Sequence, residues 1–203
     1  MDREYWSWKT SDFANASPQS VVAGITQLWQ AGLWPYPSEK ERISLIINAL
    51  VHGVQSITRS DGSLEEAAPR EGSWCVTALV GFDLMCTYEY ARGLLQERDR
   101  ELILQVVNPL ASYVMRNRET HAYIANHIAT GVAFLERWYA ATDERAALSE
   151  AESLLSGLIE SQDSEGWFPE YGGADPGYQT LTMYYLADCF ATQQRVELGE
   201  AIA

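Results

Sequence analysis

The sequence predicts an all-α fold built from helical hairpins that repeat every 52 residues, and three observations carry that reading. First, an ungapped shift of 104 residues lays Asp61-Gly62-Ser63-Leu64-Glu65-Glu66 over Glu165-Gly166-Trp167-Phe168-Pro169-Glu170, an acid-Gly-x-apolar-x-Glu pattern. Second, half that shift superimposes three apolar segments: Leu50, Leu102 and Leu154; Val51, Ile103 and Leu155; Val54, Val106 and Leu158. Third, Ile43, Ile46, Ile47, Leu50, Val54 and Ile57 fall on one stripe of a 3.6-residue period, so helices of this set have one wet face.

Seven helices follow from these signals, at about 18–32, 38–57, 73–94, 98–116, 122–141, 144–161 and 177–193. The first opens with Ser17 as N-cap and Pro18 at the first helical position, where a missing N–H costs nothing. The second opens on the capping box Ser38-Glu39-Lys40-Glu41 and, with its equivalents the fourth and sixth, carries the amphipathic stripe. The third, fifth and seventh (Trp74 to Cys86, Ala122 to Tyr139, Tyr178 to Phe190) are apolar or small nearly all round, the pattern of helices buried on most sides. The expected arrangement is therefore two layers in a single domain, 1–203, with the odd-numbered helices inside and the even-numbered ones outside.

Composition supports a packed interior, since 47% of residues are hydrophobic and only 21% are charged. A net charge of −14 argues against nucleic acid and anionic membranes, which would repel the chain. No apolar run is long enough to span a bilayer, and Met1 to Lys9 lacks the basic and apolar regions of a signal peptide, so a cytoplasmic location is expected. Cys75, Cys86 and Cys189 have neither disulfide nor zinc spacing and read as buried, reduced thiols; no metal or cofactor is expected.

The segments leading into the inner helices, 1–17, 58–72, 117–121 and 162–176, hold most of the Gly, Pro, aromatic and acidic residues and should gather at one rim. Loops on a rigid scaffold are where function concentrates. Asp61-Gly62-Ser63-Leu64 with Ser73-Trp74-Cys75-Val76-Thr77-Ala78-Leu79, and Gln162-Asp163-Ser164-Glu165-Gly166-Trp167, resemble the repeats of terpenoid-cyclase and prenyltransferase-like α/α toroids. The second resembles their QW motif, with the Trp one position early. The resemblance implies a toroid architecture, but the chain lacks the Asp-x-Asp-Asp motif and the zinc set of that chemistry, and Asp83 and Cys86 do not supply it. Isoprenoid chemistry is thus the lesser alternative.

Ala125-Asn126-His127, with Glu170-Tyr171-Gly172-Gly173-Ala174-Asp175-Pro176-Gly177-Tyr178, resembles the toroid domains of heparinase- and alginate-lyase-type polysaccharide lyases and of six-hairpin glycosidases. In such lyases an Asn neutralises the substrate carboxylate, His or Tyr takes the C5 proton, and Tyr protonates the leaving oxygen. The resemblance implies those roles for Asn126, His127 and Tyr178, with Tyr123 or Tyr171 as alternatives.

The repeat makes Trp74, Asn126 and Tyr178 equivalent, and likewise Cys75, His127 and Gln179. Aromatic faces with a few polar groups suit a sugar pocket, to which Glu66, Trp74, His121, Tyr123, Trp167 and Tyr171 are assigned. Glu66 and Glu170, with Asp175 or Glu71, could form a glycosidase pair, whose carboxyls stand about 5 to 9.5 Å apart. The structural alternatives are that the repeated glutamates close turns or cap the helices that follow them, that Asn126 bridges backbone, and that His127 is a satisfied core histidine. Gly62 and Gly166 are expected at positive φ, with Leu64 and Phe168 plugging gaps between hairpins. His121 follows the basic Arg116-Asn117-Arg118 and could meet an acidic sugar; His52 lies on an outer helix, and Glu150-Ala151-Glu152 reads as a solvated face.

Three functions compete: an enzyme acting on carbohydrate as lyase or hydrolase, a non-catalytic glycan- or protein-binding module, and an assembly module. About three and a half hairpins are fewer than a closed toroid needs. Apolar surface from Met183 to Phe190 should stay uncovered and draw a second copy or a partner protein over the C-terminal end.

Overall fold

The structure, a computed structural model, describes residues 15–36, 39–193 and 198–199. Among these the fold is all-helical: a 3₁₀ turn, Ser17–Ser20, leads into α1 (Val21–Gln30), followed by α2 (Lys40–Ile57), α3 (Trp74–Tyr90), α4 (Glu97–Arg116), α5 (Ala125–Thr142), α6 (Arg145–Glu160) and α7 (Pro176–Gln193). Extended pairing is limited to isolated bridges, such as Leu64 with Ser73 and Ile124 with Glu170. The expected helices are all present, most boundaries lying within three residues of prediction. No helix is long and apolar enough to cross a membrane.

The chain divides into two compact units between Tyr113 and Val114, inside α4. In the first, α1 packs on α3 and the 3₁₀ turn touches α1, α2 and α3. In the second, α5 packs on both α6 and α7.

Burial repeats with the 52-residue period. The buried stripe of α2 is Ile43, Ile47, Val51 and Val54, and that of α6 is Ala147, Ala151, Leu155 and Leu158, each 104 residues on. The residues halfway between, Leu95, Asp99, Ile103 and Val106, are buried too. One face of each of these helices is therefore dry and the other wet, as amphipathic spacing requires.

Helices α3 and α5 bury residues all round, from Trp74 to Thr87 and from Ala125 to Trp138. Helix α7 does not. It buries Thr182, Tyr185, Leu186 and Cys189 but exposes Leu181 and Tyr184, whose equivalents in α5, Ala129 and Val132, have no exposure. Phe190 is also exposed. Helix α1 buries Val22, Ala23 and Thr26 and leaves Val21 and Leu28 open.

Gly62 and Gly166 both have φ +91°, and Leu64 and Phe168 are fully buried. The two turns share their hydrogen bonds: Arg59 N–H donates to Ser63 O at 2.9 Å and Asp163 N–H to Trp167 O at 2.9 Å. Each turn also holds the start of an earlier helix, Ala16 N–H donating to Glu65 O at 2.9 Å and Ala125 N–H to Pro169 O at 3.2 Å.

Three local expectations are corrected. Ser17 is not the cap of the first helix; its own N–H is taken by Asn15 Oδ1 at 2.9 Å, and no side chain caps the 3₁₀ turn. Ser38 of the capping box lies outside the described residues, and Glu39 stands at the start of α2 with no side-chain cap, pairing instead with Arg42 at 2.9 Å. Cys86 and Cys189 are buried free thiols, whereas Cys75 is only half-buried.

Candidate functional site

In the second unit, the start of α5, the start of α7 and the loop 162–175 are tied together by backbone bonds. Tyr171 N–H donates to Tyr123 O at 3.3 Å, and Glu170 N–H to Gly173 O at 2.7 Å. At their centre Glu170 is 4% exposed. Its carboxylate accepts from the Asn126 backbone N–H at 2.8 Å, from Asn126 Nδ2 at 2.9 Å and from Thr182 Oγ1 at 3.3 Å. Helix α5 has no cap of its own, because Ile124 stands before it, so Glu170 satisfies an orphan N–H at a helix terminus that also favours negative charge. The glutamate thus caps the preceding inner helix rather than the one that follows. Asn126, equally buried, is held by the same carboxylate.

Asp175 does cap the helix that follows: Oδ1 accepts from Gly177 N–H at 2.8 Å and Tyr178 N–H at 3.0 Å. In the first unit Glu66 Oε2 accepts from Ser73 Oγ at 3.0 Å, and Ser73 caps α3 through Val76 N–H. Glu71 accepts from the backbone N–H groups of Glu66 and Ala67. Trp74 is 4% exposed and belongs to the core of that unit.

His127 differs from these. Its Nδ1 lies 2.7 Å from Glu119 Oε2, with the two side chains 18% and 11% exposed. Glu119 Oε1 accepts from His121 N–H at 3.0 Å. Burial works to push the Glu119 carboxyl up, but the hydrogen bond and charge of His127 and the N–H groups of His121 and Thr120 outweigh it and hold the carboxyl below its ordinary range. Glu119 was not singled out in the sequence, where it sits in a polar stretch with no periodic signal.

The segments that backbone bonds tie to the start of α5 also expose aromatic side chains. Tyr123, Tyr171 and Tyr178 are all exposed, and the rings of Tyr171 and Tyr178 stand 6.1 Å apart at 52°. Tyr123 Oη donates to Ser161 Oγ at 2.8 Å, which aims its ring. Tyr171 has φ +52°, a conformation uncommon for a bulky side chain and concentrated at functional sites. His121 is exposed and Trp167 half-buried. Arg118 is paired with Glu150 at 2.7 Å, with the Glu150 side chain 15% exposed rather than on the solvated face expected for it.

A second polar cluster joins α5 to α7. Arg137 forks onto Asp188, with Nε to Oδ2 at 2.9 Å and Nη2 to Oδ1 at 2.5 Å, a bidentate geometry. Beside it burial pushes the Cys189 thiol up, with help from neighbouring Glu136. That thiol is inert. Among the described residues, no group of three or more His, Cys, Asp or Glu side chains is arranged to hold a metal ion. Compared with known proteins, the chain matches no family model, no curated protein and no solved structure.

Proposed function

We propose that the chain acts on carbohydrate, with its ligand face at the starts of α5 and α7 and with His127 as the proton-transfer group. One observation carries the reading: three exposed tyrosines, one of them in a strained backbone conformation, lie at the starts of α5 and α7, which hydrogen bonds join to one another, and the His127–Glu119 pair stands at the start of α5. Flat aromatic faces stack on the C–H faces of sugars, and an imidazole is the side chain best matched to proton transfer near neutrality. The lyase form of the reading is favoured over the hydrolase form, because Glu170 and Asp175 are both spent on helix N–H groups. Asn126, Glu170 and Asp175 then shape the face rather than react. The repeat is read as that of toroid-type carbohydrate-active proteins.

The test is titration with neutral and uronate-containing oligosaccharides, followed by NMR of the protein and by the ultraviolet absorbance of unsaturated products. Tyr178→Ala should weaken binding about tenfold, the order of one aromatic anchor. His127→Ala should abolish product while leaving binding within about threefold. Absence of binding across the panel, or unchanged turnover in His127→Ala, refutes the proposal.

A second reading, a binding or assembly module, is favoured by Leu181, Tyr184 and Phe190 on α7. An apolar face of this kind draws a second copy or a partner helix. Light scattering at micromolar concentration decides: a monomer removes this reading.

A further inference from the structure

We infer that Glu119 is the positioning residue that fixes the tautomer of His127, so that Nδ1 carries the proton and Nε2 presents a lone pair to the ligand. What that lone pair acts on rests on the function proposed above; the tautomer itself does not.

An ionised carboxylate only accepts hydrogen bonds, so the ring nitrogen 2.7 Å from Glu119 Oε2 must be the donor. The other nitrogen of a neutral imidazole then has no proton, and the choice is made by the partner of the first. Nε2 has no hydrogen-bond partner among the described residues. Glu119 is itself held, because His121 N–H occupies its second oxygen at 3.0 Å. Swinging the carboxylate away therefore breaks this bond as well as the one to the ring. Nearby acids do not compete for the ring, since Glu170 is bound to Asn126 and Thr182 and Asp175 to the start of α7.

The chemical class this suits is a sugar acid with a C–H beside its carboxylate. Nε2 accepts that proton, the C–H electron pair becomes the new C=C bond, and the neighbouring C–O bond breaks. The departing oxygen takes a proton from water or a tyrosine hydroxyl, and the imidazolium returns its proton to solvent. Glu119 stabilises the imidazolium without accepting its proton.

Long-range proton–nitrogen NMR on ¹⁵N-labelled protein without ligand reads the tautomer directly. The chain has three histidines, so the His127 signals are identified by their loss in His127→Gln. The wild type should show the Nδ1–H form of His127 at alkaline pH, and Glu119→Ala should convert it to the Nε2–H form that an unpaired histidine side chain prefers. A wild-type ring in the Nε2–H form overturns the inference, whether or not the variant folds. So does an unchanged tautomer in Glu119→Ala with wild-type circular dichroism. A correct tautomer in a chain that binds no saccharide refutes the proposed function and leaves this inference standing.

Discussion

Replacing Gly62 and Gly166 by alanine separates the two costs a turn glycine can hide. Both residues sit at φ +91°, so each substitution carries the same backbone strain, about 1–2 kcal/mol. Loss of freedom in the unfolded chain returns about 0.4–1 kcal/mol of this. A methyl group at Gly166 meets nothing within 4 Å, so Gly166→Ala should cost about 1 kcal/mol in all. A methyl group at Gly62 falls 2.2 Å from Pro109 O and 2.9 Å from Pro109 C, both backbone atoms of α4. The helix must shift, and overpacking of that kind adds about 1–3 kcal/mol. The shift also strains the bond from Tyr113 Oη to Gly72 O, 2.5 Å long in the same region. Gly62→Ala should therefore lose about 2–4 kcal/mol, the net cost at Gly166 plus the overpacking. Urea unfolding followed by circular dichroism and tryptophan fluorescence measures both, with amide exchange to show which unit opens. Equal losses, or a larger loss at Gly166, would mean that the approach to Pro109 is not what fixes Gly62.

Two further outcomes follow from single residues. Burial in α3 pushes the Asp83 carboxyl from 3.8 up to about 7. Between those values the folded chain binds more protons than the unfolded one, so this group makes stability fall as pH rises from about 4 to 7, by at most about 4 kcal/mol. Asp83→Asn should flatten that slope, and identical pH profiles for variant and wild type would refute the assignment. Tyr171→Gly should relieve the strain at φ +52° and raise stability by about 1 kcal/mol while weakening saccharide binding, a trade that urea melts and titrations read separately. A destabilised variant with intact binding contradicts both halves.

What the sequence shows of this fold is what repeats. The stripe Ile43, Ile47, Val51, Val54 recurs 104 residues later because both helices bury the same face, and burial leaves a period that can be read. The turn glycines were visible for the same reason. The contacts of the site are not periodic. Glu170 reaches Asn126 across 44 residues, and Glu119 meets His127 on the far side of a loop, so no local spacing announces either. Glu66 and Glu170 match in sequence yet bind different partners, because Ser73 offers a hydroxyl to one and Asn126 an amide to the other. The Arg137–Asp188 pair was legible in principle: opposite charges in two apolar helices, 51 residues apart, fall one short of the repeat. The lone Asp in α7 is its signal.

The cap that Glu170 places on α5 sets a delay in the order of synthesis. When Asn126 leaves the ribosome its N–H has no partner, and the carboxylate that takes it is 44 residues behind. At about 5–20 residues per second that interval is roughly 2–9 s. Helix α5 can form and pack against α6 during this time, but its first turn stays frayed. The newborn chain therefore carries the start of α5 unfinished until the loop before α7 emerges, and a pause in translation just upstream of Glu170 would prolong the interval in which that turn is open to chaperones or proteases.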